Sequence, residues 1–187
     1  MEHYLLDTNV FFHVIEAIAN STPNKEIRLL REGKCYISEL TRIEIISVLG
    51  KHSRGMSRQV QVCDRVIDEK GETCGCKYYI AAQKRWKNRV IADWLKLIKD
   101  IVMGNCPFFT VEVLPVTHEV CETARMFVSH ALHHNFGSLD AMIAATAIEF
   151  KSRTGTELRV VTYDKKLLAA IKADNTISYL NLREQRN

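Results

Sequence analysis

Four acidic residues lie in comparable settings in the sequence, either at the end of a strand-like segment or in the first turns of a helix. They are Asp7, Glu44, Asp140 and Asp164. Asp7 directly follows the apolar segment 4–6, and Asp164 closely follows the β-branched segment 159–162. In an open α/β sheet, ligands bind at the carboxyl ends of the strands. If the strands are parallel, we therefore expect the four carboxylates to converge at one edge of the sheet.

Carboxylates gathered in this way would repel one another and raise one another's pKa unless cations bind among them. Their hard oxygen ligands, with no histidine or cysteine nearby, favour Mg²⁺ or Mn²⁺ over zinc. Such a site suits phosphoryl transfer, in which one metal ion lowers the pKa of an attacking water and a second stabilises the leaving oxygen.

Each acid taken alone also has a structural explanation. Asp7 and Asp164 are good helix N-caps, and Asp140 is well placed near the positive end of a helix dipole. Glu44 is compatible with an ordinary exposed helix position. However, the alanine-rich helix that follows Asp140 is apolar on nearly every side. An acid at a buried edge needs a partner or a metal ion, so the four acids together favour a functional site.

Strand-like and helical segments alternate along the chain, which predicts a parallel sheet with helices on both faces. Strands are predicted near residues 4–6, 35–37, 108–116, 158–162 and 176–180. Helices are predicted over residues 10–19, 25–31, 82–102, 118–132, 138–150 and 164–173, with one more from a cap at Ser38 or Thr41 to about Lys51. The helix over 82–102 is inferred from apolar residues spaced by three and four.

The chain has 187 residues, of which 47% are hydrophobic and 26% charged, as expected of a globular protein. We predict a single domain over residues 1–187 with an insertion at about 52–80. Two alternating segments, 59–67 and 78–81, predict a β-hairpin in this insertion.

Charge and hydropathy indicate which kinds of partner and which cellular compartment are compatible with the chain. The formal net charge of +4 is compatible with a polyanionic partner without requiring one. No apolar run approaches the roughly 18 residues of a membrane span, and Asp7 interrupts any leader-like pattern at the start. Six scattered cysteines in a chain of this size read as reduced thiols, so we expect a cytoplasmic protein.

Four short motifs follow one another along the chain. They are Leu-Leu-Asp-Thr-Asn at 5–9, Ser-Glu-Leu-Thr-Arg-Ile-Glu at 38–44, Ser-Leu-Asp-Ala-Met-Ile-Ala-Ala at 138–145 and Val-Thr-Tyr-Asp at 161–164. In this order and combination they resemble the PIN-domain family, and in particular the VapC-type toxins of bacterial toxin–antitoxin pairs. The resemblance covers nearly the whole chain except residues 52–80.

The resemblance implies a three-layer α/β/α sandwich and an Mg²⁺- or Mn²⁺-dependent endoribonuclease. It also implies a homodimer and, for a toxin, a cognate antitoxin that blocks the site. Asp7, Asp140 and Asp164 would chiefly bind the metal. Glu44 would be a further ligand or would orient the attacking water. The residues that would hold waters or carboxylates in place are Thr8, Asn9, Thr41 and Thr162.

The insertion is longer than a compact toxin needs, and it contains the ingredients of a Cys₃His zinc site. These are His52, Cys63, Cys74 and Cys76. The spacing offers one Cys-x-Cys pair and a lone cysteine instead of two close pairs. Free thiols in a small hairpin are therefore the favoured interpretation, with Zn²⁺ as the alternative.

Basic residues are dense around the insertion. Four of them are candidates for contacting RNA phosphates: Arg54, Arg58, Lys84 and Arg85. A solvated protein surface explains the same residues equally well.

Three other functions remain open at this stage. The chain could be a housekeeping RNA-processing nuclease, or a non-catalytic module that binds RNA or a partner on the same fold. A phosphatase-like or receiver-like pocket around Asp7 would need a second aspartate close by, and Thr8-Asn9 does not supply one. The sequence favours the toxin-type ribonuclease.

Overall fold

The computed structural model describes residues 1–22, 25–57, 59–63, 67, 69–130 and 137–182. In chain order its elements are β1 (His3–Leu6), α1 (Thr8–Ala19), α2 (Lys25–Arg31), β2 (Lys34–Ser38), α3 (Glu39–Arg54), β3 (Gln59–Val62), β4 (Lys77–Ile80), α4 (Asn88–Val102), β5 (Glu112–Leu114), α5 (His118–His130), α6 (Ser138–Thr154), β6 (Arg159–Val161), α7 (Lys165–Asp174) and β7 (Tyr179–Leu180). Contacts between Cα atoms divide the chain into two compact units. We call Met1–Ile46 with Trp94–Asn187 the sheet unit, and Ser47–Asp93 the hairpin unit.

The sheet unit is built on five strands in the order β5-β2-β1-β6-β7, and every neighbouring pair is parallel. The central strands are continuous apolar runs because helices cover both faces of a parallel sheet. Leu5 and Leu6 of β1 and Val160 of β6 are fully buried. The predicted α/β/α sandwich with a parallel sheet is therefore confirmed.

Helix α6 packs into the core through small side chains. Ala144 and Ala145 are fully buried, and Ala141 and Ala147 are almost so. Short side chains allow a helix to lie close to the elements it packs against, so α6 can be buried along most of its length. This packing holds the first turn of α6, which carries Asp140, in a fixed position.

The helix predicted over residues 82–102 begins only at Asn88. Residues 81–87 are not helical, and Gln83 forms an isolated antiparallel bridge with Met56. The backbone N–H of Trp86 donates to the carbonyl of His52 in α3 and not to a residue four positions earlier. Backbone hydrogen bonds to another segment thus override the three- and four-residue spacing that predicted a longer helix.

Two outer strands are shorter than predicted. The strand predicted over 108–116 is limited to Glu112–Leu114, and that predicted over 176–180 is limited to Tyr179–Leu180. Each lies at one end of the strand order and has a single neighbour in the sheet. Of the helix predicted over 118–132, residues 131–132 lie outside the described part of the chain.

The hairpin unit contains the antiparallel pair of β3 and β4 that the alternating segments predicted. Their register pairs Gln59 with Ile80 and Val62 with Lys77. In the described part of residues 50–93, every side chain is at least partly exposed.

The described helices include none that is long and apolar enough to cross a membrane.

The end of α6 gives a test of local backbone geometry. Gly155 closes α6 in the left-handed conformation, with φ of 69°, and its N–H donates to the carbonyl of Lys151. A Cβ would meet no atom there, so only the backbone conformation opposes it. We expect Gly155→Ala to destabilise the fold by about 1 kcal/mol in urea denaturation. Ser152→Ala, at an exposed position one turn earlier, should change stability by less than about 0.5 kcal/mol; equal effects of the two changes would contradict this account.

Candidate metal-binding site

Asp7 lies where β1 ends and α1 begins, and it is only 5% exposed. Its backbone N–H still belongs to the sheet, since it donates to the carbonyl of Val161 in β6 at 3.0 Å. Its side chain caps α1, with Oδ1 accepting from the N–H of Thr8 at 2.7 Å. An aspartate at a strand end is thus held by the first turn of the next helix.

The second carboxylate oxygen of Asp7 links β1 to the end of β6. Oδ2 accepts from Asn9 Nδ2 and from Thr162 Oγ1, each at 2.6 Å. Thr162 is completely buried, and its Oγ1 also accepts from the N–H of Asp164 at 2.9 Å. Two acids 157 positions apart in the sequence are therefore connected through one threonine hydroxyl.

Asp164 is the N-cap of α7. Its Oδ1 accepts from the N–H groups of Lys166 at 2.6 Å and Leu167 at 3.1 Å. The cap uses one carboxylate oxygen, and the residue is only partly buried. Its second oxygen is therefore not committed to capping.

Glu44 lies on α3, six residues after the end of β2, and its side chain extends to the same edge of the sheet. Its Oε2 accepts from Thr8 Oγ1 at 2.5 Å. Thr8 thereby contacts two of the four acids, through its backbone N–H to Asp7 and through its hydroxyl to Glu44.

Asp140 lies in the first turn of α6. Its Oδ2 accepts from the N–H of Gly137 at 2.9 Å, which is half of a capping box. The residue is partly buried.

Electrostatics show that the four acids share one environment. The pKa of Asp7 is raised to about 6, chiefly by burial; its hydrogen bonds to Thr162 and Thr8 oppose this shift, and the charges of Asp140 and Glu44 add to it. The pKa of Asp140 is also raised, by burial first and then by the charges of Asp164 and Glu44. The charge of each acid therefore acts on Asp7, on Asp140 or on both, which supports the predicted convergence of the four carboxylates.

The oxygen donors fit a hard divalent cation that keeps part of its water shell. In the described residues, no three of these carboxylates bring oxygens within 4.8 Å of one another. Mg²⁺ is usually bound through one or two carboxylates and retains several waters, so a tighter group of acids is not needed. Asp7 in particular would gain from a cation, because its buried charge has only neutral hydrogen-bond partners.

Thr41 lies one turn before Glu44 on α3 and is 1% exposed. Its hydroxyl has no hydrogen-bond partner among the residues that the structure describes. The prediction that Thr41 supports the site stays a prediction, since its hydroxyl makes no hydrogen bond to an acid of the described residues.

Two backbone groups contribute to the site in a way that the sequence did not reveal. The N–H of Tyr163 donates to Asn9 Oδ1 at 3.1 Å and so fixes the amide that donates to Asp7. The N–H of Gly137 holds Asp140. Every residue except proline has a backbone N–H, so the sequence does not indicate which of these groups donate to the site. The contacts of the Tyr163 and Gly137 N–H groups are therefore seen only in the structure.

The remaining predicted residues belong to the hairpin unit. Cys63, Cys74 and Cys76 are brought together there, whereas His52 is not part of their group. The candidates for RNA contact in this unit that the structure describes are Arg54, Lys84 and Arg85, all exposed or partly exposed. Arg58 lies outside the described residues.

No protein-family model and no curated protein matches the sequence. Solved structures do match the fold over nearly the full length of both chains. DNA-bound VapBC from Salmonella typhimurium has a TM-score of 0.56 and 17% identity, covering 96% of this chain and 98% of that one. FitAcB from Neisseria gonorrhoeae has a TM-score of 0.52 and 20% identity, covering 95% and 96%. VapBC2 from Rickettsia felis, bound to a DNA fragment from its promoter, has a TM-score of 0.53 and 14% identity, covering 95% and 97%. At these identities the likeness concerns the fold, and the chain has the PIN-like α/β/α sandwich that its four motifs indicated.

Proposed function

We propose that this protein is a divalent-metal-dependent endoribonuclease that hydrolyses RNA phosphodiester bonds. The observation that supports this most directly is the meeting of four acids at one sheet edge, with Asp7 buried and its pKa raised. Capping explains Asp7, Asp140 and Asp164 one helix at a time, but it does not explain why Glu44, which lies within α3, joins them. A buried carboxylate with other acids close by is costly for the fold, and a cation removes this cost.

Asp7, Asp140 and Asp164 would hold Mg²⁺ or Mn²⁺, directly or through its bound waters, with Glu44 either as a further ligand or as the group that orients the attacking water. A bound divalent ion supplies a water of lowered pKa and neutralises charge that develops on the phosphate. The residues present supply the frame for this chemistry. Thr162 and Asn9 fix the orientation of the Asp7 carboxylate, and Thr8 fixes Glu44.

The distribution of charge supports RNA as the substrate. The hairpin unit contains ten lysines and arginines against five aspartates and glutamates, whereas the whole chain has a formal net charge of only +4. The excess of positive charge therefore belongs to the hairpin unit. We propose that Arg54, Arg58, Lys84 and Arg85 contact phosphates there, which predicts binding that weakens as salt concentration rises.

We further propose that the protein is the toxin of a type II toxin–antitoxin pair and acts in the cytoplasm as a homodimer. The fold likeness to VapBC and FitAcB supports the toxin assignment. Apolar side chains left exposed on the sheet unit, such as Ile43 at 59% and Met126 at 56%, support a protein partner. The described cysteines are all free, as expected of a cytoplasmic protein.

RNA cleavage by the purified protein tests the proposal. We expect endonucleolytic fragments of a structured RNA in Mn²⁺ or Mg²⁺, and none in excess EDTA. Induced expression should arrest growth, and co-expression of the neighbouring small reading frame should relieve the arrest. Cleavage that persists undiminished in EDTA would exclude the proposed chemistry.

Thr8→Val tests the contact between Thr8 and Glu44. Valine keeps the shape of this buried side chain but removes the hydroxyl that donates to Glu44 Oε2. We expect the cleavage rate to fall about 10- to 100-fold, as is usual when a group supporting a metal ligand is lost. Thr8→Ser keeps the hydroxyl and should restore most of the rate; a serine variant as poor as the valine variant would show that packing matters and the hydrogen bond does not.

A further inference from the structure

Three cysteines of the hairpin unit come together although Cys63 precedes the Cys74–Cys76 pair by more than ten positions. The Sγ atoms of Cys63, Cys74 and Cys76 all lie within 4.8 Å of one another. Those of Cys74 and Cys76 are 3.1 Å apart. No other group of three metal-ligating side chains of this kind is present in the part of the chain that the structure describes.

The backbone fixes this arrangement. The N–H of Cys63 donates to the carbonyl of Cys76 at 2.8 Å, and the N–H of Gly75 donates to the carbonyl of Cys63 at 3.0 Å. Gly75 has φ of 61°, so the turn between the two later cysteines uses a conformation that glycine adopts without strain. These bonds continue the ladder beyond the Val62–Lys77 pair, so the three thiols stand together at the end of the hairpin.

The described residues of β3 and β4 bury little apolar surface. Strands β3 and β4 expose their apolar side chains, with Val60, Val62 and Tyr79 between 54% and 62% exposed. A two-stranded hairpin without a buried apolar face is marginal in water. Small folds that lack a core are commonly stabilised by a disulfide or a metal ion.

The chemistry of the three thiols favours a metal ion. Zinc binds thiolates at about 2.3 Å in a tetrahedral arrangement, which places sulfur atoms about 3.8 Å apart. The observed sulfur positions lie around this spacing, between 3.1 Å for Cys74–Cys76 and the 4.8 Å limit for the group. A disulfide between Cys74 and Cys76 would use two sulfurs and leave the third, Cys63, without a partner in the bond.

We propose that Cys63, Cys74 and Cys76 bind Zn²⁺ as thiolates and that this ion stabilises the hairpin. Each thiol releases its proton to solvent on binding, and no oxidation is involved. A water would complete the tetrahedron, because the described residues offer no fourth ligand atom within 4.8 Å of all three thiols. His52 does not complete it, because its ring stacks on Trp86 at 4.1 Å and Nδ1 lies 2.7 Å from Gln83 Nε2. The sequence favoured free thiols because it could not show that Cys63 meets the later pair.

Metal analysis of the full chain, purified under reducing conditions, tests this proposal. We expect about one zinc ion per chain. Cys63→Ser and Cys74→Ser should each lower the zinc content at least about tenfold. Cys121→Ser is the matched control, since Cys121 is an exposed free cysteine of the sheet unit, and it should leave the zinc content unchanged.

Replacing zinc by Co²⁺ separates this site from the acidic one. Thiolate ligands give cobalt a charge-transfer absorption that carboxylates do not give, so the band should be lost in Cys63→Ser and kept in Asp7→Asn. Hydrogen exchange in residues 59–62 and 77–80 should accelerate when a chelator removes the metal. Absence of zinc after reconstitution, equal zinc in Cys63→Ser and the wild type, or a Cys74–Cys76 disulfide in place of a metal would each overturn the proposal. None of these results depends on whether the protein cleaves RNA.

Discussion

Asp7→Asn is expected to reduce metal-dependent RNA cleavage by at least about 100-fold while the protein remains folded. Loss of a group that merely supports a metal ligand already costs about 10- to 100-fold, so loss of a ligand should cost at least the upper part of that range. Asp7 is the acid that the structure holds most firmly, with three hydrogen bonds to its carboxylate. Cleavage of a labelled RNA in Mn²⁺, under single-turnover conditions, measures the effect.

We expect Asp7→Asn to change the stability of the fold little. Asparagine has nearly the same size and can still accept the hydrogen bond from the N–H of Thr8 that caps α1. Its amide nitrogen replaces the carboxylate oxygen that accepts from Asn9 and Thr162, so one acceptor is lost there. The substitution also removes a negative charge from a position that is 5% exposed. These effects oppose each other, so circular dichroism and the melting temperature should stay close to those of the wild type.

Two further variants sharpen the result. Asp140→Asn changes a second acid of the group and should also abolish cleavage. Asp93→Asn changes an exposed acid on α4, in the hairpin unit, and should leave cleavage intact. Preparing all three in parallel controls for contaminating ribonucleases. Wild-type activity in Asp7→Asn or Asp140→Asn would show that the acids are only caps.

The candidate site could be predicted largely from sequence because its positions are set by local rules. Aspartate is a preferred N-cap residue where a helix follows an apolar strand, so the positions of Asp7 and Asp164 could be inferred from their immediate neighbours. To predict that the acids come together, only the parallel arrangement of the strands was needed in addition, because parallel strands bring their carboxyl ends to one edge of the sheet. The order of the strands, with β1 between β2 and β6, then puts Asp7 in the middle.

What could not be predicted depends on contacts between segments far apart in the sequence. The start of α4 was misplaced because the bridge of Gln83 with Met56 is invisible to a periodicity argument. The meeting of Cys63 with Cys74 and Cys76 depends on the register of β3 against β4, which no spacing rule supplies. Hydrophobic periodicity identifies an element, but pairing between elements decides where it ends.

The pKa of Asp7 also makes stability depend on pH and on metal. Between pH 3.8, the ordinary value for this side chain, and about 6, the folded chain binds more protons at Asp7 than the unfolded chain does. Stability from this group is therefore greatest at low pH and falls as pH rises through that window. The shift corresponds to about 3 kcal/mol at pH 7 and above.

We expect urea denaturation in EDTA to show this loss as a difference between the wild type and Asp7→Asn. Relative to the variant, the wild type should lose about 2 kcal/mol between pH 4 and pH 7, because other titrating groups cancel in the comparison. Asp140 has a pKa raised in the same direction and remains in both proteins. A pH-independent difference would mean that the Asp7 carboxylate is not destabilised by burial.

Addition of Mn²⁺ should reverse the loss, since a cation that binds only the folded chain stabilises it by about 2.7 kcal/mol at 100 times its dissociation constant. The gain should be large at pH 7.5, where Asp7 is ionised in the folded chain, and small at pH 5, where protons compete for the carboxylate. Asp7→Asn should show little gain at either pH. Stabilisation by Mn²⁺ that is equal at both pH values and in both proteins would place the ion elsewhere and separate the acidic group from metal binding.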